Sequence, residues 1–131
     1  MIVVDASVLA NAIGNDGADG ATARAALAGQ DLSVPDLVDV EMVAVLRRRW
    51  LAKTLTARRF ATAIDDLAAL PADRYPVLPF MPRAYGLRAN LSAYDATYVA
   101  LAEQIGCPLI TADARLAAAP GPQCVITVLR P

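Results

Sequence analysis

Short apolar runs alternate along this chain with segments of helical periodicity, and this alternation constrains the fold more than any other feature. Strands that are buried on both faces read as apolar runs, and helices between them return the chain so that successive strands pair in parallel. The pattern predicts an α/β fold around a central, mostly parallel sheet. The predicted strands are Ile2–Val4, Leu32–Val34, a short one around Val77–Leu78, Pro108–Ile110 and the CVITVL run from Cys124.

The segments between these strands carry helical spacing of apolar residues and recognisable end signals. Asp36 is placed to cap a long helix that reaches about Lys53, and Thr56 to cap the next, which runs to Leu70. GNDGADG and PADRYPVLP have the composition of loops. A chain of 131 residues without a linker predicts one domain, residues 1–131. The other predicted helices are Ser7–Ile13, Ala21–Ala28, Pro82–Arg88, SAYDATYVALAEQI up to Gly106, and DARLAAA from Asp113.

The chain contains no histidine. This excludes Ser-His-Asp triads, Cys-His pairs, histidine acid–base pairs and every histidine-containing zinc site. No GxxxxGK[ST] or GxGxxG stretch is present to bind phosphates, and two cysteines are too few for a four-cysteine zinc site. If the protein is an enzyme, carboxylates are therefore the side chains best suited to its chemistry.

Composition also bears on location. No apolar run approaches the roughly 20 residues of a membrane span. The N-terminus lacks the positive charge that begins a signal peptide, and Asp5 interrupts its apolar stretch. Cys107 and Cys124 form no disulfide framework and are expected to be buried free thiols. We expect a cytoplasmic domain without membrane contact.

Four carboxylates are predicted to meet at one edge of the sheet. Asp5 and Asp113 each follow the carboxyl end of a strand, and these ends share one edge in a parallel sheet. Glu41 lies early in a helix that leaves the same edge, among apolar neighbours. Asp95 lies in the first turn of the helix that returns towards the Pro108 strand, so it too is expected near this edge.

Each carboxylate also has a purely structural interpretation. Asp5 and Asp113 precede helices that they are placed to cap, and Asp95 lies three residues after a serine, as in a capping box. Glu41 has the weakest such alternative, because no residue four positions away carries a positive charge to pair with it. These interpretations explain each carboxylate separately, but they do not explain why all four are predicted to lie at the same edge of the sheet.

Four carboxylates at one edge repel one another, and this repulsion raises their pKa values unless a cation relieves it. Ligation by oxygen alone favours Mg²⁺ or Mn²⁺ over zinc. Such a cation activates water and stabilises the charge that develops during phosphodiester hydrolysis. The interpretation of Asp5 is therefore that it is a metal ligand.

The segment RRRWLAKTLTARR holds six of the twelve basic residues and no acidic one. Charge runs of this length are common on solvated helix faces. The alternative is a stripe that contacts phosphates, beside the acidic and metal-neutralised pocket. The candidate RNA- or partner-binding residues are Arg47, Arg48, Arg49, Lys53, Arg58 and Arg59.

Four segments together resemble the PIN domain, and most of all the VapC toxins of bacterial toxin–antitoxin pairs. They are MIVVDASVLANAI, PDLVDVEMVAVL, LSAYDATYVALAE and PLITADARL, in the family's order and over nearly the whole chain. The resemblance implies a PIN-like three-layer α/β/α sandwich and a Mg²⁺- or Mn²⁺-dependent endoribonuclease. It also implies a homodimer that a VapB-type antitoxin inhibits.

The resemblance assigns Asp5, Glu41, Asp95 and Asp113 to the family's acidic quartet, as catalytic residues and metal ligands. Ser7 and Thr111 match hydroxyl positions, where they would orient the ligands by hydrogen bonds. In this assignment Asp5 and Asp113 anchor the metal, and Glu41 or Asp95 orients the attacking water. Many relatives carry a further acid after the last aspartate, where this chain has Ala114 and Arg115. We therefore expect one firmly held ion, with a second arriving with the RNA.

Two other functions are compatible with an acidic sheet edge. A catalytically inactive PIN domain would bind RNA or protein only, although such domains normally lose acids of the quartet. A receiver-type phosphoacceptor domain also holds Mg²⁺ at a sheet edge, but it needs a lysine near the last strands, and Lys53 is the only lysine. The identity of the RNA does not follow from the sequence, because folded RNA is recognised largely by shape.

Overall fold

The structure, a computed structural model, describes residues 1–130. Five strands form one sheet in which every pairing is parallel, and their spatial order departs from their order in the chain. The strands are β1 (Ile2–Val4), β2 (Leu32–Pro35), β3 (Ala72–Tyr75), β4 (Leu109–Thr111) and β5 (Ile126–Val128). Across the sheet they lie in the order β3-β2-β1-β4-β5.

Helices connect the strands and cover both faces of the sheet. Their bounds are α1 (Ala6–Gly14), α2 (Ala18–Leu27), α3 (Val38–Leu51), α4 (Ala57–Ala69), α5 (Met81–Gly86), α6 (Ala93–Ile105) and α7 (Ala114–Ala118), with a 3-10 turn at Leu78–Phe80. Right-handed crossovers place α1–α4 on one face and α5–α7 on the other, because the chain reverses its direction across the sheet after β3. Helix α1 packs on α2, α3 and α4, while α6 packs on α5, β1 and β2. The predicted α/β class and three-layer sandwich are confirmed.

The strand order places a switch point at the centre of the sheet, and the region outside the carboxyl ends of β1 and β4 is called the crevice below. From β1 the chain moves towards β2, whereas from β4 it moves away towards β5, although β1 and β4 are neighbours. Their connections therefore leave on opposite faces, and open α/β sheets bind ligands outside the carboxyl ends of such a strand pair. The crevice lies on the carboxyl edge of the sheet, where the sequence predicts Asp5 and Asp113.

The short strand predicted around Val77–Leu78 is wrong. Leu78 begins the 3-10 turn and is 78% exposed, and Pro79 follows it with a backbone angle suited to the start of a helix. The strand in this region is β3, which pairs in parallel with β2 from Leu32–Ala72 to Pro35–Tyr75. It lies at the edge of the sheet and is only half-buried, so its sequence, ADRY, lacks the apolar signature of the other strands.

Two helix starts also differ from the prediction. Asp36 does not cap α3; its backbone N–H donates to the carbonyl of Tyr75, and the cap residue is Leu37, without a side-chain bond. Helix α2 begins at Ala18, inside the segment predicted as a loop. The predicted cap of α4 is confirmed, since the Thr56 hydroxyl accepts from the N–H of Arg59 at 3.1 Å.

The core consists mainly of alanine, valine, leucine and isoleucine on the strands and on α1, α3 and α6. Tyr98 is the largest side chain that is fully buried. Cys107 and Cys124 are free, as predicted, but only partly buried. Within residues 1–130, no helix has the length and apolar character needed to cross a membrane.

Candidate active site

Asp5 lies between β1 and α1, and its carboxylate accepts hydrogen bonds from α1 and from β4. Its Oδ1 accepts hydrogen bonds from the Ser7 hydroxyl at 2.6 Å and from the N–H of Val8 at 3.1 Å, so it caps α1. Its Oδ2 accepts from the hydroxyl of Thr111, at the end of β4. Asp5 is only 8% exposed and is the one buried charged side chain among the described residues. Oδ2 retains one lone pair for a further partner.

Ser7 and Thr111 tie the two strand ends together across the crevice. The Ser7 hydroxyl accepts from the N–H of Ala112 at 3.4 Å, and the Thr111 hydroxyl accepts from the N–H of Asp113 at 3.0 Å. Each hydroxyl therefore donates to Asp5 and accepts from the backbone after β4. The two residues fix the Asp5 carboxylate in orientation.

Glu41 is held by a tyrosine that sequence reasoning missed. In the first turn of α3, its Oε1 accepts from the hydroxyl of Tyr98 at 2.9 Å. Tyr98 lies on α6 and is 2% exposed. Two features of the sequence could have indicated Tyr98. It follows Asp95 by three residues, so both lie on one side of the helix, and its hydroxyl is a polar group on an otherwise apolar stripe.

Asp95 and Asp113 complete the edge. Asp95 lies in the first turn of α6, where its N–H donates to the hydroxyl of Ser92 at 3.1 Å. Asp113 caps α7 through its Oδ1, which accepts from the N–H of Arg115 at 2.9 Å. The guanidinium of Arg115 also binds this carboxylate, with Nε at 3.2 Å from Oδ1 and Nη2 at 3.3 Å from Oδ2.

The pKa values of these carboxylates reveal one shared electrostatic environment. Burial raises the pKa of Asp5, of Glu41 and of Asp95. Repulsion by Asp5 and Asp95 raises the pKa of Glu41 further, and repulsion by Asp5 and Asp113 does so for Asp95. By contrast, the hydrogen bonds from Arg115 lower the pKa of Asp113. Residues far apart in the chain therefore lie close enough to repel one another at the crevice.

Comparison with known proteins gives the family. The sequence profile of the PIN domain matches residues 2–122. Ribonuclease VapC9 of Mycobacterium tuberculosis is 46% identical over 129 residues, which cover 98% of this chain and 98% of that protein. The chain belongs to the PIN-domain family. Its similarity to VapC9 over nearly the full length of both chains places it among the VapC proteins of that family.

Two solved structures of VapC systems share the fold. The VapC20 toxin of Mycobacterium tuberculosis, described as cleaving the sarcin–ricin loop, superimposes with a TM-score of 0.72 at 20% identity, over 90% of this chain and 94% of that one. VapBC2 of Rickettsia felis, solved with a DNA fragment from its promoter, gives 0.70 at 11% identity, over 99% and 100%. At these identities the likeness concerns the PIN fold.

The donor chemistry of the crevice fits the divalent cation that PIN-domain carboxylates imply. The donors are oxygens only, and burial and repulsion disfavour their charged forms, so a cation would be bound favourably. Within residues 1–130, however, no three acidic side chains are close enough together to hold one ion. Arg115 engages Asp113 and Tyr98 engages Glu41. Gathering the ligands therefore requires side chains to move.

The basic run does not lie at the acidic edge as a unit. Arg49 donates to the Ala10 carbonyl at 3.2 Å and to the Asn11 side chain at 2.8 Å, towards the far end of α1. Arg59 donates to the carbonyl of Ile13 and pairs with Asp16 at 3.3 Å. Exposed side chains remain at Arg47, Arg48, Lys53 and Arg58.

Lys53 lies in the turn after α3, with a backbone φ of 63°. Helix α3 begins at the acidic edge and extends for 14 residues, about 21 Å, so its end points away from that edge. The lysine that a receiver-type phosphoacceptor domain requires is therefore not supplied by Lys53.

Proposed function

We propose that this VapC protein is a divalent-metal-dependent endoribonuclease and the toxin of a type II toxin–antitoxin pair. One observation carries the proposal: Asp5, Glu41, Asp95 and Asp113, from four parts of the chain, converge on the crevice between β1 and β4. Of the three with raised pKa values, Asp5 is buried, whereas Glu41 and Asp95 are half-buried and are repelled by neighbouring carboxylates; this arrangement costs stability unless it serves a cation.

In the proposed mechanism, Asp5 and Asp113 would hold the cation, with Asp95 as a further candidate ligand. A divalent cation, preferably Mg²⁺ or Mn²⁺, supplies Lewis-acid activation of water and positive charge at the phosphate when it is bound. Ser7 and Thr111 keep Asp5 directed into the crevice. Glu41 has one oxygen fixed by Tyr98, which leaves Oε2 to orient the attacking water and accept its proton.

The substrate is proposed to be RNA, held by exposed basic side chains. Because the net charge of the chain is only −1, phosphate binding depends on local charge. Arg47, Arg48, Lys53 and Arg58 are the available members of the basic run, whereas Arg49 and Arg59 are engaged by α1.

We propose two protein partners. A VapB-type antitoxin is supported by the fold shared with VapBC2, and the pair would act in the cytoplasm. A second copy of the chain is the proposed occupant of the α3 stripe, an exposed row at helical spacing comprising Val40, Val43, Ala44, Trp50 and Leu51. Helix α3 carries acidic residues in its first turn and basic residues in its last. Because Glu41 faces the crevice, antiparallel pairing of two such helices would bring the partly exposed Asp39 of one copy towards the exposed Arg47 and Arg48 of the other.

Cleavage of total bacterial RNA by the purified, antitoxin-free protein tests the proposal. Reactions contain Mg²⁺, Mn²⁺ or chelator, and Asp5→Asn is compared with Asp65→Asn, which changes an exposed aspartate of α4. We expect discrete fragments that require metal, disappear with Asp5→Asn and persist with Asp65→Asn. Mapping the fragment ends would identify the RNA.

Fragments that survive chelation or the Asp5→Asn change would contradict the metal-dependent mechanism. If the wild-type protein cleaves nothing, titration with Mn²⁺ separates the remaining explanations. A nuclease of narrow specificity binds the ion, whereas an inactive PIN domain that only binds RNA or protein has no need to do so.

A further inference from the structure

Asp113 differs from the other three carboxylates because a cation is its partner. Both oxygens of Asp113 accept from the Arg115 guanidinium, at 3.2 and 3.3 Å, and Oδ1 also accepts the Arg115 backbone N–H. The charge of Arg115 lowers the pKa of Asp95 as well as that of Asp113. The Arg115 guanidinium thus engages a carboxylate that is proposed to bind the metal ion.

The pairing is weak enough to be exchanged. The side chain of Arg115 is 93% exposed, and that of Asp113 is 37% exposed. Water screens an ion pair that is this exposed, so competition from Arg115 should weaken metal binding at Asp113 by no more than about fivefold. A divalent cation that binds Asp113 displaces the guanidinium without unfolding any element, since α7 keeps its cap from the same carboxylate.

We propose that Arg115 holds Asp113 in the metal-free protein and that, when the cation binds Asp113, the guanidinium is released to bind a substrate phosphate. The inference rests on the proposed metal-dependent nuclease function and adds an order of events to it. Arginine suits this exchange, because its planar fork of N–H groups matches carboxylate and phosphate equally well. Metal entry thereby makes available, at the mouth of the crevice, a cation that can bind RNA.

Calorimetric titration with Mn²⁺, without RNA, tests the first half of the exchange. It compares the wild-type protein, Arg115→Ala and Arg115→Lys with Arg58→Ala, which removes an exposed charge of α4 whose side chain has no hydrogen bond or ion pair among the described residues. We expect Arg115→Ala to bind Mn²⁺ about two- to fivefold more tightly, because the competing guanidinium is gone. Arg58→Ala should bind as the wild type does, and Arg115→Lys should fall between.

Fluorescence anisotropy with a labelled mixed-sequence RNA oligonucleotide tests the second half. The measurements use a Glu41→Gln background, which prevents cleavage, with and without saturating Mn²⁺. With Mn²⁺, Arg115→Ala should weaken RNA binding about fivefold or more, the loss of a charge-assisted contact. Without Mn²⁺ the same substitution should weaken RNA binding less than about twofold. In the parent protein the Arg115 guanidinium is then still paired with Asp113 and contributes little to RNA binding.

Tighter Mn²⁺ binding together with a metal-dependent loss of RNA affinity supports the exchange. Unchanged or weaker Mn²⁺ binding by Arg115→Ala overturns it, as does a loss of RNA affinity that is equal with and without Mn²⁺. If the wild-type protein binds no Mn²⁺ at all, the proposed metal site itself has failed, and the wild-type trace alone shows this.

Discussion

Asp5 is the only charged side chain that is buried within residues 1–130. Burying an unpaired carboxylate costs several kcal/mol, as an order of magnitude. Hydrogen bonds from Ser7, Thr111 and Val8 lower its pKa, but burial is the larger effect and the pKa stays raised. The capping and metal-binding interpretations of Asp5 are therefore compatible, because one oxygen caps α1 while the other faces β4.

Tyr98→Phe should impair catalysis more than folding. The substitution removes only the hydroxyl that donates to Glu41, at a cost of about 1 kcal/mol in unfolding free energy. Because this hydrogen bond lowers the pKa of Glu41, its loss raises that pKa. A base must be ionised to act, so the acid limb of the pH–rate profile for RNA cleavage should move to higher pH. An unshifted acid limb would show that Glu41 is not the base.

At the scale of the element, α1 ends in carbonyls that three arginines satisfy. Arg24 donates to the carbonyls of Ala12 and Asn15, Arg49 to that of Ala10 and Arg59 to that of Ile13. The last carbonyls of a helix lack partners within it, and positive charge there also complements the helix dipole. Arg49 and Arg59 of the basic run thus fasten α3 and α4 to α1.

Arg59→Ala and Arg58→Ala, adjacent on α4, should differ in their effect on stability. We expect Arg59→Ala to lower the unfolding free energy by about 1–2 kcal/mol, because the Ile13 carbonyl and Asp16 lose their donor. Its Nη1 is buried without a partner among the described residues, which keeps the loss from being larger. Arg58→Ala should stay within about 0.5 kcal/mol. Urea denaturation measures both, and equal losses would contradict this division of the basic run.

The α3 stripe makes a separate prediction about assembly. Trp50 is 45% exposed on this helix, and a tryptophan buried in an interface contributes about 2 kcal/mol to binding where it is a hot spot. Trp50→Lys should therefore weaken dimerisation by about 30-fold or more. Leu78→Lys is the control, since Leu78 is exposed on the 3-10 turn instead. Light scattering across a dilution series measures the dimer, and a dimer that Trp50→Lys leaves intact would assign the stripe to another partner.

At the scale of the whole molecule, the strand order decides where the acidic residues meet. Asp5 and Asp113 follow neighbouring strands β1 and β4, whose connections separate to opposite faces. Glu41 enters from α3 on one face and Asp95 from α6 on the other. The crevice therefore collects repelling charges from the entire fold, and its electrostatic cost appears in global stability.

The pH dependence of unfolding should reveal this cost. Asp95 has a raised pKa in the fold, so its contribution to stability is present below the ordinary value of 3.8 and is lost as pH rises through the raised value. Without metal, Asp95→Asn should thus gain stability relative to the wild type as pH rises from about 4 to 7. Asp113 has a lowered pKa, so the contribution of its carboxylate is present above the ordinary value of 3.8 and is lost as pH falls through the lowered value. The disadvantage of Asp113→Asn relative to the wild type should therefore shrink as pH falls below about 4.

Urea denaturation of the metal-free proteins from about pH 2.5 to 7 measures both trends. Saturating Mn²⁺ should reverse the advantage of Asp95→Asn, because the wild-type protein then gains binding free energy that the variant largely lacks. Parallel pH curves for the wild type and Asp95→Asn would contradict the shared electrostatic environment.

Much of this arrangement follows from local sequence. The apolar run Ile2–Val4 predicted β1, and the acid after it marked the crevice. Thr56 and Ser92 cap α4 and α6 through bonds that span three residues. Such features depend on spacing within a turn or along a strand, so neighbouring residues suffice to specify them.

Other features exist only because the chain folds back on itself. Strand β3 is stabilised by pairing with β2, so its own residues, which include Asp73 and Arg74, carry little strand signal. Glu41 and Tyr98 are 57 residues apart in the chain, and their hydrogen bond requires α3 and α6 to converge on the same edge.

The α/β class, most of the elements and the candidate carboxylates could be predicted before folding was considered, because periodicity and short-range capping depend on residues that are close in the chain. Three contacts required the packed fold: those of Arg49 and Arg59 with α1, that of the Tyr98 hydroxyl with Glu41, and that of the Arg115 guanidinium with Asp113. Hydrogen bonds and ion pairs act over a few ångströms, so which groups become partners depends on how the packed elements orient each side chain.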